Sequence, residues 1–150
     1  MEPTVVTWVL VVFGLITMGP LTAAYLAFFV QGPNSQESKE LLIGKGEDWR
    51  DDTHLRFALG LAWADVLLIA PLLVGGTVGV LLGHGWGYVL WGASAAISLY
   101  INIVLWFGEK EYVYPSRGPV RYFSYYWGFF VYWGALALAY SALRVSGVEF

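Results

Sequence analysis

The stretch that decides the fold is residues 55–82, LRFALGLAWADVLLIAPLLVGGTVGVLL, in which Arg56 and Asp65 are the only charged side chains. An apolar run of this length can cross the roughly 30 Å hydrocarbon core of a bilayer as one helix. Three further apolar runs lie at about residues 5–30, 86–107 and 122–143. The sequence therefore predicts an all-α, polytopic integral membrane four-helix bundle that forms a single domain over residues 1–150.

The composition leads to the same class of protein and excludes others. Only 13% of the 150 residues are charged, whereas a soluble domain has about 25%. A soluble surface so poor in charge would aggregate, so we expect lipid to cover most of it. The chain has no cysteine and two histidines, so we predict no disulfide, no metal site and no cofactor. The net charge of −3 and the lack of a basic cluster argue against a nucleic-acid partner.

The basic residues predict the orientation of the chain in the membrane. Four spans place the two longer links, residues 31–54 and 108–121, on one side and both termini on the other. Of the eight lysines and arginines, only Arg144 lies on the terminal side. Basic residues are concentrated in cytoplasmic loops. We therefore expect cytoplasmic loops, with both termini on the non-cytoplasmic side.

Asp65 is the one charged side chain in the middle of a predicted span. It follows Leu55 by ten residues, a helical rise of about 15 Å that places it near the bilayer midplane. A carboxyl group at that depth is costly, so intramembrane acids usually have a partner or a function. Pro20 and Pro71 interrupt two spans and are expected to bend them, which favours a cavity near the acid.

Residues on the other predicted spans fall at a depth similar to that of Asp65 and at helical spacing. If their faces point inward, they surround Asp65 in an aromatic chamber. We predict Asp65, Tyr132 and His54 as catalytic candidates, with His54 at the cytoplasmic mouth of the chamber. The predicted ligand-binding residues are Asp65, Ser98, Asn102, Thr22, Tyr132, Trp133, Phe129 and Trp63. A stripe of aromatic residues on the fourth span begins at Tyr122, Tyr125 and Tyr126, and packing explains it better than a cofactor or ligand site does.

The layout resembles the EXPERA superfamily, which contains the emopamil-binding sterol isomerases and the sigma-2 receptor type of protein. The similar features are four spans, a long first loop, a short second link, Asp65 followed by Pro71, and Pro20-Leu21-Thr22 in the first span. The resemblance implies a sterol-like or lipid-like ligand and an isomerase-type activity. The acid that the family carries in its first span has no counterpart in residues 24–27, which read Ala-Tyr-Leu-Ala.

Several functions stay open on these residues. In the first, an intramembrane chamber centred on Asp65 binds a lipid, a sterol or isoprenoid, or an amphiphilic amine. In the second, the same chamber is the site of an isomerase-like enzyme with Asp65 as general acid or base. In the third, the chain is an accessory subunit of a membrane complex, and Asp65 makes an interhelical hydrogen bond. The expected partners are membrane lipids, a hydrophobic small molecule, and a second copy or another membrane subunit.

Overall fold

A computed structural model describes residues 1–108, 118–121, 124 and 127–149, which contain helices and no strands. The helices are α1 (Val5–Gln31), α2 (Gln36–Leu42), α3 (Asp52–Ala64), α4 (Ala70–Leu81), α5 (Gly85–Gly108) and α6 (Gly128–Val145), with a π-helical turn at Asp65–Ile69 and one helical turn at Pro119–Arg121. The π-helical turn joins α3 to α4, so that Asp52–Leu81 is one span. Four segments are thus long and apolar enough to cross a membrane, and the chain is a multi-pass membrane protein.

The predicted spans agree with these helices except at particular ends. The first and third are confirmed to within one residue. The second begins at Asp52 rather than at residue 55, because the side chain of Asp51 caps the helix by accepting a hydrogen bond from the backbone N–H of His54 at 2.8 Å. The fourth was predicted over residues 122–143. The described helix is Gly128–Val145, and residues 122, 123, 125 and 126 lie outside the described part of the chain.

Helix α1 remains helical through Pro20 and has a defined start and end. Thr4 and Thr7 form a reciprocal capping box at its N-terminus. The helix ends at Gly32, whose φ of 88° is a left-handed conformation that glycine adopts without strain. The backbone N–H of Gly32 still donates to the carbonyl of Phe28 at 3.0 Å. The end of the span is therefore fixed where the polar loop begins.

Helices α4 and α5 approach each other very closely through glycines. A Cβ atom on Gly76 would lie 2.9 Å from the backbone nitrogen of Trp91, and one on Gly87 would collide with the backbone of Gly79 and Val80. Small residues at a helix interface let the two backbones meet, which is a principal source of helix association in membranes. The short turn at residues 83–84 holds this pair together as a hairpin at the terminal side of the protein.

The core consists of three apolar clusters at successive depths. The cluster on the side of the termini contains Val80, Trp91 and Tyr140. The middle cluster contains Met18, Ala95, Phe130, Trp133 and Ala137, and the cluster on the side of the longer loops contains Tyr25, Phe28 and Ala62. Helices α1, α4, α5 and α6 all contribute to the first two clusters, directly or through the residues packed against them. In the third, α3 contributes a single fully buried residue, Ala62.

Hydrogen bonds link the N-terminal residues of the chain to α6 near the C-terminus. The hydroxyl of Tyr140 lies 2.6 Å from the hydroxyl of Thr4 and 2.7 Å from that of Thr7. The guanidinium of Arg144, which is 5% exposed, donates to the carbonyl of Glu2 at 2.8 Å and lies over the ring of Tyr88. These polar contacts therefore close the end of the bundle where the termini lie. At the opposite end α3 is loosely packed and buries only Ala62.

Candidate functional site

The π-helical turn begins at Asp65, the one acid in the middle of a span. The backbone N–H of Ala70 donates to the carbonyl of Asp65, five residues earlier, rather than to that of Val66. Pro71 follows, and its nitrogen has no hydrogen to donate, so the normal helical pattern is interrupted at this point. Isolated π turns inside helices are frequent at functional sites. A local disturbance of the helix at Asp65 and Pro71 is thus present as a widened turn.

The side chain of Asp65 lies on the inner face of its span but has no partner there. Ala62, three residues before it, is fully buried, and Ile69, four residues after it, is 7% exposed. Residues at this spacing share one helix face, and the π turn contacts both α1 and α5. Among the described residues, no hydrogen bond or ion pair to the Asp65 carboxyl group is present. Asp65 is therefore available to a ligand, a proton or another chain.

A cavity of about 480 Å³ lies beside this span, on the side of the longer loops. Helix α1 contributes Ile16, Thr17, Pro20 and further residues to its wall, and α3 and the first turn of α6 form the facing walls. The volume falls in the range of about 300–1,000 Å³ that is usual for small-molecule sites. Most of the lining side chains are aliphatic or aromatic, so the cavity suits an apolar molecule.

The cavity exists because α3 diverges from the bundle. The α4 half of the second span packs tightly against α5, whereas the backbone of α3 approaches no other described helix closely. The π turn lies between these two halves, and turns of this kind are a recognised cause of helix kinks. The gap left between α1 and α3 is the cavity.

Asp65 and the cavity share one face of the second span. The cavity is lined on α3 by His54, Ala58 and Leu61, at the spacing of a helical stripe. Asp65 follows Leu61 by four residues on this stripe, although it is not part of the lining. The carboxyl group is thus one turn beyond the inner end of the α3 wall.

His54 supplies a polar group at the opposite end of the α3 wall. It lies in the first turn of α3, where its Nδ1 accepts a hydrogen bond from the backbone N–H of Arg50 at 3.3 Å. A neutral imidazole that accepts at Nδ1 carries its proton on Nε2. Thr17, another polar residue of the lining, donates through its hydroxyl to the carbonyl of Phe13 at 2.7 Å. His54 therefore presents a hydrogen-bond donor in a mainly apolar wall.

The loop between α1 and α3 covers the end of the cavity. Leu41, Leu42 and Ile43 line the cavity at the end of α2. Trp49 also lines it, and its indole Nε1 donates to the carbonyl of Pro33 at 2.9 Å. The ring of Trp49 meets that of His54 edge to face at a centroid distance of 5.4 Å. An apolar cover thus lies directly beside the imidazole.

Two ion pairs lie on this cover, and one of them, Lys39–Asp48, joins α2 to the segment before α3. Lys39 Nζ lies 2.7 Å from a carboxylate oxygen of Asp48, and Arg50 Nε lies 2.9 Å from one of Asp51. The hydrogen bond from Lys39 holds the pKa of Asp48 below its usual value, and the hydrogen bond from Arg50, helped by the backbone N–H of His54, does the same for Asp51. Both carboxylates are solvent-exposed, so water and salt weaken these pairs.

The structure brings only part of the predicted constellation together. His54 and Phe129 line the cavity. Ser98 and Asn102 are buried in α5, where the Asn102 amide donates to the carbonyl of Ser98 at 2.7 Å and to its hydroxyl at 3.2 Å. They form a bonded pair with each other, and neither is hydrogen-bonded to Asp65.

The remaining predicted residues lie away from the cavity. Trp133 is fully buried, and its indole donates to the carbonyl of Leu10 at 3.1 Å. Trp63 and Tyr132 are 52% and 44% exposed, and Trp63 packs on Phe29. Thr22 is half-buried and does not line the cavity. The expectation that all these faces point inward at Asp65 is wrong, because Trp63 and Tyr132 turn largely outward.

Some predicted features fall outside the described residues. Tyr122, Tyr125 and Tyr126, which begin the aromatic stripe, are among them. Within the described part of the chain, no group of three histidine, cysteine, aspartate or glutamate side chains is placed to hold a metal ion.

Sequence reasoning missed the loop side of the cavity. Residues 41–43, Leu-Leu-Ile, and Trp49 stand in a link that is otherwise polar. An apolar cluster inside a polar loop is the signal that it packs against something. Its position could not be inferred from the sequence, because no helical periodicity connects it to α1 or α3.

The fold and the site define a class, a multi-pass helical membrane protein with a cavity between its spans on the loop side. Comparison of the chain with models of protein families found none that matches. Comparisons with curated proteins and with solved structures likewise found no match.

Proposed function

We propose that this membrane protein binds a lipid-like molecule in the cavity between α1, α3 and α6. The observation that carries the proposal is a cavity of about 480 Å³ with a mainly apolar lining, within the membrane-spanning helices. A cavity of this kind favours an occupant that is already dissolved in the bilayer, because burial of apolar surface is the main attraction it offers.

Access from the bilayer is consistent with the outer rim of the cavity. Ile16 and Phe57 line it from α1 and α3 and are 61% and 45% exposed. Both residues belong to spans, so this exposed surface faces the lipid region. A hydrophobic molecule can therefore enter sideways from the bilayer without passing the polar loops. The resemblance to the EXPERA superfamily also supports a sterol-like, isoprenoid or other lipid-like ligand.

We limit the proposal to binding, with Asp65 as a candidate contact at the inner end. Double-bond migration, the isomerase-type reaction, needs both a proton donor and a proton acceptor at the reacting carbons. Asp65 lies one turn beyond the α3 wall, and the two other catalytic candidates, His54 and Tyr132, lie at the loop end and on a largely outward face. This arrangement favours a binding site over a compact proton-transfer site.

We also propose that the longer loops, and with them the covered end of the cavity, face the cytoplasm. The support is the distribution of basic residues, seven of which lie on the loop side. His54, Trp49 and the apolar cover would then lie at the cytoplasmic surface of the membrane.

Native mass spectrometry of protein purified with little delipidation tests the binding proposal. We expect the wild type to retain a small lipid-like molecule and the variant Ala58→Trp to lose it, because the indole fills the cavity from α3. The matched control is Ala96→Trp, on an exposed face of α5, which should retain the molecule. A wild type without any bound mass, or equal retention by Ala58→Trp, would contradict the proposal.

The alternative function is an accessory subunit of a larger membrane complex. Its specific support is the sparse packing of α3, which buries only Ala62 within the described chain and exposes Trp63 by 52%. A partner helix that packs there would also stabilise the loosely held α3. Co-purification of a stoichiometric membrane protein, lost on Leu67→Lys, would favour this function over ligand binding.

A further inference from the structure

The cavity has a polar end and an apolar end. The wall that α3 contributes extends from His54 to Leu61, a rise of about 10 Å. On α1 the wall extends from Tyr25, near the loop, to Ile16, a rise of about 14 Å. The imidazole stands at the loop end, and the inner half is lined by aliphatic and aromatic side chains. A ligand that matches this wall must itself be polar at one end.

The chemistry of the polar end follows from the bond that His54 already makes. Because Nδ1 accepts from the backbone N–H of Arg50, the neutral ring has only its Nε2–H left, which is a donor. Protonation leaves Nε2 a donor as well. The ring can therefore bind a head group that accepts a hydrogen bond, and it cannot accept one from an ammonium group.

The charges around His54 do not change this preference. The nearest acid, Asp51, is paired with Arg50 and caps α3, and Lys39 on the cover is paired with Asp48. The two pairs, together with Asp52 and Arg56 beside them on α3, carry no net charge, so the net charge favours neither a cationic nor an anionic head group. The donor on the ring then decides which head group is selected.

We infer that the cavity takes an amphiphile with one apolar chain and an oxygen head group, an inference that rests on the proposed function. The head group lies beside His54 under the loop cover, and the chain points toward Ile16 and Leu61. A carboxylic acid and an alcohol share the required acceptor oxygen. A long-chain amine in its protonated form lacks an acceptor. The preference is therefore for acids and alcohols over amines and plain hydrocarbons.

Photolabelling of the protein in phosphatidylcholine nanodiscs tests the orientation. Two dodecanoic acid probes are used, one with a diazirine at the chain end and one with it next to the carboxyl group. We expect the first to label peptides that contain Ile16 and Leu61, and the second to label the peptide over residues 49–58. The reverse pattern would overturn the inference while leaving the binding proposal intact. Absence of cavity labelling by both probes would contradict the binding proposal itself.

Competition against the carboxyl-end probe tests the head group. Unlabelled dodecanoic acid and dodecanol should compete, and dodecylamine and dodecane should not. If only one of these two compounds competes, the result identifies the preferred head group as a carboxyl or as a hydroxyl. Equal competition by the amine would overturn the inference.

Substitutions at the two histidines show whether the ring acts as the donor. His54→Phe keeps the size of the side chain without the donor and should weaken competition by dodecanoic acid about tenfold, the equivalent of one hydrogen bond. His54→Gln, which can both accept and donate, should restore most of the affinity. The matched control is His84→Phe, because His84 stacks on Trp86 in the turn at the opposite end of the bundle. Unchanged affinity in His54→Phe would overturn the role of the ring.

Discussion

At the scale of single residues, Asp65 is an inward-facing acid that makes no hydrogen bond within the described chain, a lack that it shares with the neutral hydroxyls of Tyr88, Ser94 and Ser141. Asn102 donates to Ser98, and Tyr140 bonds to two threonines. These bonded groups offset their desolvation with interactions that fix geometry. The carboxyl group of Asp65 has no such compensation within the described chain, which is the reason to look for its role outside the fold.

Because the Asp65 carboxyl group makes no hydrogen bond, its replacement has an expected sign of effect on the free energy of unfolding. Asp65→Asn removes an ionisable group and breaks no hydrogen bond, but it leaves a polar amide in the span, so we expect it to stabilise the protein by about 1 kcal/mol. The measurement is the unfolding midpoint in detergent. Asn102→Ala is the contrasting variant, since it breaks a buried bond and should destabilise by about 1 kcal/mol or more.

The opposite sign for Asp65→Asn would change the functional conclusion. A clear loss of stability would mean that Asp65 makes an interhelical or intersubunit bond. That result would favour the accessory-subunit function over ligand binding.

At the scale of elements, the second span combines a tightly packed half and a loosely packed half. Helix α4 is held against α5 by the glycine contacts at Gly76, Gly79 and Gly87. Helix α3, beyond the π turn, buries only Ala62. The same span therefore supplies stability on the terminal side and space for a ligand on the loop side.

Two glycine substitutions, one in the α4–α5 hairpin and one in α3, should act in opposite directions. In Gly87→Ala the new Cβ atom meets the backbone of Gly79 and Val80, so the helices must separate, at a cost of about 1–3 kcal/mol. In Gly60→Ala the Cβ atom has nothing within 4 Å, and the gain in helix propensity should stabilise α3 by about 0.5–1 kcal/mol. Unfolding in mixed micelles followed by circular dichroism measures both. Equal effects of the two variants would show that the close approach of α4 and α5 is not the source of stability.

At the scale of the whole molecule, the absence of cysteine makes the orientation directly measurable. Single cysteines at Lys45 in the first loop and at Val148 beyond α6 lie on opposite sides of a four-span protein. In intact cells a membrane-impermeant maleimide should label Val148→Cys and leave Lys45→Cys unlabelled until the membrane is opened. The reverse pattern would show inverted insertion, and labelling of both would contradict an even number of spans.

The sequence by itself determined the class of protein, the spans and the position of the one intramembrane acid. Long uncharged runs have one physical solution in a bilayer, because every backbone polar group must be bonded within its own helix. It also indicated a disturbance of the second span at Asp65 and Pro71, because the missing N–H of proline is a local property.

Only the tertiary structure decided which faces turn inward and where the cavity lies. Periodicity groups Trp63, Tyr132 and Ser98 by face, but lipid is as apolar as the core, so hydrophobicity does not tell the inner face from the outer one. The cavity depends on the divergence of α3 after the π turn, and its cover depends on Leu41, Leu42, Ile43 and Trp49 folding back from the loop. These are contacts between segments distant in the chain, and packing fixes them rather than local sequence.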